Sequence, residues 1–213
     1  MKYKALIFDM DGTILYTLDD LTDSINYAHE KLNLPKRQVD QVVNWVGNGI
    51  GLLVERALPD DKKHLKEQAL KLFFEYYSVH SMDKTRPYDQ IIDLLKEVKA
   101  RGYKTAVVSN KEINAAKGLA KQFFDGLFDC VMGEMPFVAK KPAPDMVHLA
   151  LKELDEGAEN AVYIGDSDVD YQTAVNANLP CISVSWGFKS KEFLQDLGAK
   201  TIVDTPMQIL DVI

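Results

Sequence analysis

An isolated strand constrains this fold more than any other feature of the sequence. Tyr3–Phe8 (YKALIF) is a short apolar run that ends in acids, the pattern of a strand buried on both faces, as in a parallel sheet. Nothing strand-like follows it until after Pro87. Leu15 to Val79 reads as helix throughout, with apolar stripes at Leu21, Ile25, Ala28 and Leu32, then Val39, Val42, Val43 and Val46, then Ile50, Leu53, Val54 and Ala57, then Leu65, Ala69, Leu72, Phe73 and Tyr76. These recur at helical spacing. Thr17 with Asp20 three residues on is the expected N-terminal cap of the first helix. Asn33–Pro35, Gly47-Asn48-Gly49 and Pro59 break the stripes apart.

After Pro87 the pattern changes. A helix marked by Ile91, Leu95 and Val98 leads to a strand at Lys104–Val108. A helix over Asn114–Phe123 leads to a strand at Phe128–Val131, and a helix over Asp145–Leu154 leads to a strand at Ala161–Ile164. Asp168–Ala177 is then helical, Cys181–Val184 a strand, Glu192–Leu197 helical and Thr201–Val203 a last short strand. Strands alternating with helices predict βαβ units and a parallel sheet. The first strand must join that sheet, because a lone buried strand leaves its edges unsatisfied. The expected fold is therefore α/β: a doubly wound, Rossmann-like parallel sheet over residues 1–15 and 83–213, with an all-α helical insertion over residues 16–82. The hinges fall near Gly12–Tyr16 and Met82–Pro87.

The chain has 213 residues, and 32 acids against 25 Lys and Arg give a net charge of −7. This balance excludes nucleic acid as a partner, since a phosphate backbone needs a basic face. With 46% hydrophobic residues the chain can build a core and is not disordered. Cys130 and Cys181 lie in apolar runs and are expected to be buried, reduced thiols, as suits a cytoplasmic protein. No apolar run has the roughly 18 residues of a membrane span. The acidic balance also sits awkwardly with an anionic small molecule.

In open α/β sheets, ligands bind at the carboxyl ends of the strands. Here those ends carry Asp9-Met10-Asp11-Gly12-Thr13, Ser109-Asn110-Lys111, the segment Lys140-Lys141-Pro142, and Gly165-Asp166-Ser167-Asp168-Val169-Asp170. Asp9 and Asp11, two apart, project to one side of an extended chain, and Gly12 allows a sharp turn after them. Asp-Gly is equally a common turn dipeptide. Asp166 should point into the cleft, whereas Asp168 reads as a helix cap. Several acids in one cleft repel unless a cation is present, and oxygen ligands of this type suit Mg²⁺. Lys141, between Ala139-Lys140 and two prolines that stiffen its loop, is the compensating charge, and Lys140 reads as a surface lysine. Ser109 could give a hydrogen bond to a phosphate oxygen or serve only as a cap.

Together these segments resemble the haloacid dehalogenase superfamily. DMDGT, VVSN, KKPAPD and GDSDVD match its four motifs in order and frame nearly the whole chain. The helical insertion resembles that family's C1 cap, and NWVGNGIGLLVERAL, KKPAPD and VSWGF resemble its phosphoglycolate phosphatase branch. The resemblance implies a Mg²⁺-dependent phosphatase acting on a small phosphorylated metabolite through an aspartyl-phosphate. It makes Asp9 the nucleophile, Asp11 the general acid and base, and Ser109 and Lys141 the holders of the phosphoryl oxygens. Asp9, Asp11 through its backbone carbonyl, Asp166 and Asp170 would form the metal site, with Asp170 fixing Lys141 or a metal-bound water. Gly12, Thr13, Asn110, Trp45 and Asn48 would face the substrate, although a plain helix–helix turn explains the glycines around Asn48 equally. The chain departs from the family pattern at Tyr16, where Asp is usual, and at Arg86-Pro87-Tyr88, where Tyr-Pro-Gly is usual. Both departures fall at the hinges. No membrane or nucleic-acid partner is implied, and the protein would be a monomer or homodimer. Alternatives on the same core are a phosphosugar mutase of the β-phosphoglucomutase type, a dehalogenase, which Asp11 disfavours, and a phospho-acceptor signalling module, which the helical insertion disfavours.

Overall fold

The computed structural model describes residues 2–213. In chain order its elements are β1 (Ala5–Phe8), β2 (Leu15–Tyr16), α1 (Leu18–Lys31), α2 (Val39–Val42), α3 (Ile50–Ala57), α4 (Lys66–His80), β3 (Arg86–Pro87), α5 (Ile91–Ala100), β4 (Lys104–Glu112), α6 (Ile113–Phe124), β5 (Cys130–Glu134), α7 (Asp145–Leu154), β6 (Ala161–Gly165), α8 (Asp168–Asn176), β7 (Cys181–Val184), α9 (Lys191–Asp196) and β8 (Thr201–Val203). The chain divides into two compact units, Met1–Leu15 with Pro87–Ile213, and Tyr16–Arg86. No helix among the described residues is long and apolar enough to cross a membrane.

The first unit is a six-stranded sheet in the order β5-β4-β1-β6-β7-β8, with its strands paired in parallel. The strand that stands alone in the sequence lies inside it, with Ile7 opposite Ala106 on one side and Tyr163 on the other. Strand alternation divides its residues between two cores. Leu6 and Phe8 join Val107, Val162 and Ile164 under α5 and α6, through Leu94, Leu95, Val98, Ala116 and Leu119. Ala5 and Ile7 join Ala106, Val108, Ala161 and Tyr163 under α7 and α8, through Met146, Val147, Ala150 and Ala174. Every residue of β1 is therefore apolar, and burying each large side chain contributes about 1.5–3 kcal/mol. From β1 the chain builds β4 and β5 on one side, then β6 to β8 on the other. The strand order reverses at β1, so its carboxyl end is the switch point where such sheets bind ligands.

The second unit is helical. Leu21, Ile25 and Ala28 of α1 and Ala69, Phe73 and Tyr77 of α4 are buried, and Tyr27 of α1 stacks on Tyr76 of α4 with ring centroids 4.9 Å apart. The stripe Val39–Val46 forms only the short α2, followed by turns, because Val42 alone among its valines is buried. Leu15–Tyr16 is a strand and not helix, since it pairs with β3.

The expected Thr17–Asp20 cap does not form. Thr17 stands at the N-cap position without a side-chain bond to the helix. The buried Asp20 carboxylate instead accepts hydrogen bonds from the backbone amides of Lys84, at 3.0 and 3.1 Å, and Thr85, at 2.8 Å. These bonds hold residues 84 and 85 to α1 within the helical unit, which runs to Arg86. Tyr16 and Arg86 form a pair at the ends of this unit, the guanidinium 4.3 Å from the ring centroid, and both contact Asp19. Replacing Asp20 by Ala strands two backbone donors, so Asp20→Ala should lower unfolding free energy by about 2–4 kcal/mol. Asp23→Ala, which removes only an exposed ion pair with Lys84, should cost less than about 1 kcal/mol. Urea unfolding curves of the two variants check the contrast.

Candidate active site

The site grows from the carboxyl end of β1. The Asp9 amide donates to the Ile164 carbonyl at 2.9 Å, extending the sheet pairing by one residue. Met10 is buried in the core under α5 and α6, so Asp9 and Asp11 project to its other side. The chain then turns tightly: the amides of Thr13, Ile14 and Leu15 all donate to the Met10 carbonyl at 3.0–3.3 Å, and the Gly12 amide donates to the Leu15 carbonyl. Gly12 has φ +91°, and a Cβ there would lie 2.5 Å from Asp166 Oδ2. Only glycine satisfies both demands.

Asp166 follows β6 and is buried. Its Oδ1 accepts from Thr13 Oγ1 at 3.2 Å and its Oδ2 from the Phe188 amide at 2.7 Å. The amide can reach it because Gly187 precedes: a Cβ there would fall 2.2 Å from the Asp166 Cβ. The indole of Trp186 donates to the Thr13 carbonyl at 3.0 Å and ties the same loop to the turn after β1. Helix α8 is capped by Ser167, not by Asp168, which is an exposed first-turn acid. Ser167 and Asp170 form a capping box. The box occupies Asp170 Oδ2, leaving Oδ1 for a second partner.

That partner is Lys141. Its ammonium lies 2.6 Å from Asp9 Oδ1, 2.8 Å from Asp170 Oδ1 and 3.1 Å from the Tyr163 hydroxyl, with only 3% of its side chain exposed. Asn110 holds its backbone at both ends: the Lys141 amide donates to Asn110 Oδ1 at 2.9 Å, and Asn110 Nδ2 donates to the Lys141 carbonyl at 3.1 Å. Asn110 thus anchors the lysine loop to the end of β4. Ser109 is buried beside it and accepts from the Lys111 amide at 3.2 Å. Lys140 points elsewhere, to a half-exposed ion pair with Glu134.

Asp9, Asp166 and Asp170 each offer a carboxylate oxygen, and these oxygens lie within 4.8 Å of one another. Burial raises the Asp9 carboxyl well above its usual range, Asp170 adds to this, and Lys141 opposes it. Burial, then Asp170, pushes Asp166 up to about 7. For Lys141, burial favours the neutral amine, but Asp170 and Asp9 outweigh it and hold the ammonium. Three carboxylates and one ammonium leave a formal −2, which a divalent cation neutralises. The all-oxygen donor set suits Mg²⁺, so these residues fit the metal that the sequence implies. The Asp11 carboxylate stands apart from this triad, with its Oδ1 3.3 Å from Lys111 Nζ.

Of the residues singled out in the sequence, Asp9, Gly12, Thr13, Asn110, Lys141, Asp166 and Asp170 form one connected network, with Ser109 beside Asn110 and Asp11 paired to Lys111. Trp45 and Asn48 belong to the helical unit, in the turns between α2 and α3. Arg56 orders those turns, its Nη1 donating to the Trp45 carbonyl at 3.1 Å and to Asn48 Oδ1 at 2.7 Å. Three side chains escaped sequence reasoning. Tyr163 sits in an apolar strand and looks like pure core. Lys111 follows Ser109-Asn110, and its place in that strand-end motif was its only signal. Trp186 was visible only within VSWGF.

Residues 6–184 match the haloacid dehalogenase-like hydrolase family. A phosphoglycolate phosphatase of Colwellia psychrerythraea is 32% identical over 215 residues, spanning 97% of this chain and 95% of its own. One from Rhodospirillum rubrum is 33% identical, spanning 94% of this chain and 87% of its own. A crystal structure from Lactobacillus delbrueckii subsp. bulgaricus, described as a candidate phosphoglycolate phosphatase, superposes with a TM-score of 0.94 at 39% identity, covering 100% of this chain and 98% of the other. With its motifs gathered at the switch point of the sheet, the chain belongs to the haloacid dehalogenase-like hydrolases, in their phosphoglycolate phosphatase-like branch.

Proposed function

We propose that this phosphoric monoester hydrolase acts on a small phosphomonoester of the phosphoglycolate kind, passing the phosphoryl group first to Asp9 and then to water. One observation carries the proposal: the buried meeting of Asp9 with Lys141, Asp166 and Asp170 at the switch point. A carboxylate oxygen of Asp9 attacks phosphorus as the bond to the leaving oxygen breaks, and Asp11 gives its proton to that oxygen. Asp11, then a carboxylate, takes a proton from water. The water oxygen attacks phosphorus, the bond to Asp9 breaks, and inorganic phosphate leaves. Lys141 and Ser109 hold the phosphoryl oxygens, and Asp170 and Asn110 hold Lys141. Asp9, Asp166, Asp170 and the Asp11 carbonyl would hold Mg²⁺, which would supply neutralisation of the phosphoryl charge. Gly12 and Thr13 shape the turn at the phosphoryl group. Trp45 and Asn48, in the helical unit that we assign as the cap, serve the rest of the substrate.

Relatives named as phosphatases along almost the whole chain favour hydrolysis over the mutase alternative. A cytoplasmic location and a monomer or homodimer complete the proposal. The two thiols are free, and burial pushes both up to about 12, so neither is a nucleophile at neutral pH.

Asp9→Asn should reduce phosphate release from phosphoglycolate and p-nitrophenyl phosphate by about 10³-fold or more. Full activity in that variant would refute the nucleophile assignment. Metal-free stability gives a second check. Folded Asp166 keeps its proton to about pH 7, whereas the unfolded chain releases it near 3.8. Between these values the folded state binds more protons, so stability falls as pH rises. Chelator-treated protein should melt lower at about pH 7.5 than at about pH 5.5 through this group, and Asp166→Asn should flatten the difference. An unchanged slope would place the titration elsewhere.

A further inference from the structure

We propose that Lys111 is a positioning residue for the acid–base carboxylate, holding Asp11 in place for proton transfer to the leaving group. The proposal rests on the phosphatase reading above. Lys111 is buried, its side chain 2% exposed, at the last residue but one of β4. An ammonium is placed there only with compensation. Its ammonium lies 3.3 Å from Asp11 Oδ1. Asp9 and Asp170, by contrast, are served by Lys141. The two buried lysines thus divide the site's acids, one on the nucleophile and one on the carboxylate beside it.

The local backbone is built to hold Lys111 there. The pairing of β4 with β5 shifts register between Val108 and Glu112, so residues 109–111 leave the regular ladder. The Lys111 amide turns to the hydroxyl of Ser109 at 3.2 Å. On the other side β5 comes so close that a Cβ at Gly133 would lie 2.7 Å from the Lys111 carbonyl oxygen and 2.7 Å from the Ile113 Cα. A bulge, a hydroxyl and a glycine together aim one side chain back at the turn after β1. Asp11 is the more exposed partner, its side chain 16% accessible, and it lies in the turn segment just beyond β1. Lys111 supplies the fixed point against which that carboxylate is set. Proton transfer in the transition state demands hydrogen-bond reach, and a carboxylate free to rotate spends less time within it.

Leaving-group dependence isolates this role. An alkyl phosphate such as phosphoglycolate needs a proton on its departing oxygen, whereas p-nitrophenolate departs with little help. Lys111→Met keeps the length and packing of the side chain and removes the ammonium. It should lower kcat/KM for phosphoglycolate by roughly 10- to 100-fold, within the range of general acid catalysis, and lower kcat/KM for p-nitrophenyl phosphate markedly less. Lys111→Arg should recover part of the loss. The ratio of the two substrates is measured on one sample, so a partly unfolded variant does not distort it. Equal losses on both substrates would overturn the proposal. So would a loss confined to the KM of phosphoglycolate with ethyl phosphate unaffected, which would put Lys111 on the substrate carboxylate instead. A wild-type protein inactive on every phosphomonoester with Mg²⁺ would refute the phosphatase reading itself.

Discussion

Two acids from different segments at the carboxyl edge of this sheet, Asp9 and Asp170, meet on one buried ammonium. Lys141 bridges Asp9 of β1's end and Asp170 of α8, and Tyr163 closes the third side from β6. A buried charge survives only if it is paired and hydrogen-bonded. The surrounding structure follows from that demand. Asn110 grips the lysine loop at both backbone ends, Ser167 shares Asp170 by taking its other oxygen, and the Lys111–Asp11 pair forms a separate ion pair beside the first. Removing the Lys141 ammonium leaves Asp9 and Asp170 without their counter-charge in the interior.

The same charges give meaning to the acidic balance of the chain. A net charge of −7 argues against polymers of phosphate. Locally, however, three carboxylates and Lys141 leave −2 in a space where burial makes charge expensive. A proton held on Asp166 up to about pH 7 relieves part of this, and in the proposed function a dication would relieve the rest. The acidity that sits awkwardly with an anionic substrate includes the three carboxylates that, in the proposed function, would hold a cation and with Lys141 turn the site toward phosphate.

Much of this was legible in the sequence for physical reasons. Strands buried on both faces must be continuous apolar runs, so β1, β6 and β7 announced themselves, and glycine-flanked acids at the ends of β1 and β6 marked the site. The sheet face at Tyr163 was opaque, because its hydroxyl lies within an apolar strand and its partners are far off in sequence. Asp20 misled for the opposite reason: three residues after Thr17 it fits a capping pattern, yet its partners at Lys84 and Thr85 lie 64 and 65 residues away. Local pattern reports local bonds, and a buried carboxylate is free to choose distant amides. Lys111 was hidden because its proposed role depends on a register shift in β4 that spacing alone does not reveal.

The most direct test is calorimetric titration of the metal-free protein with Mg²⁺ in buffers of different ionisation enthalpy. If the buried carboxylates trade protons for a dication, one Mg²⁺ should bind per chain with proton release near pH 6, and the release should shrink as the pH rises past about 7. Binding without proton release near pH 6, or no binding at all, would contradict the picture of a −2 site balanced by either protons or metal.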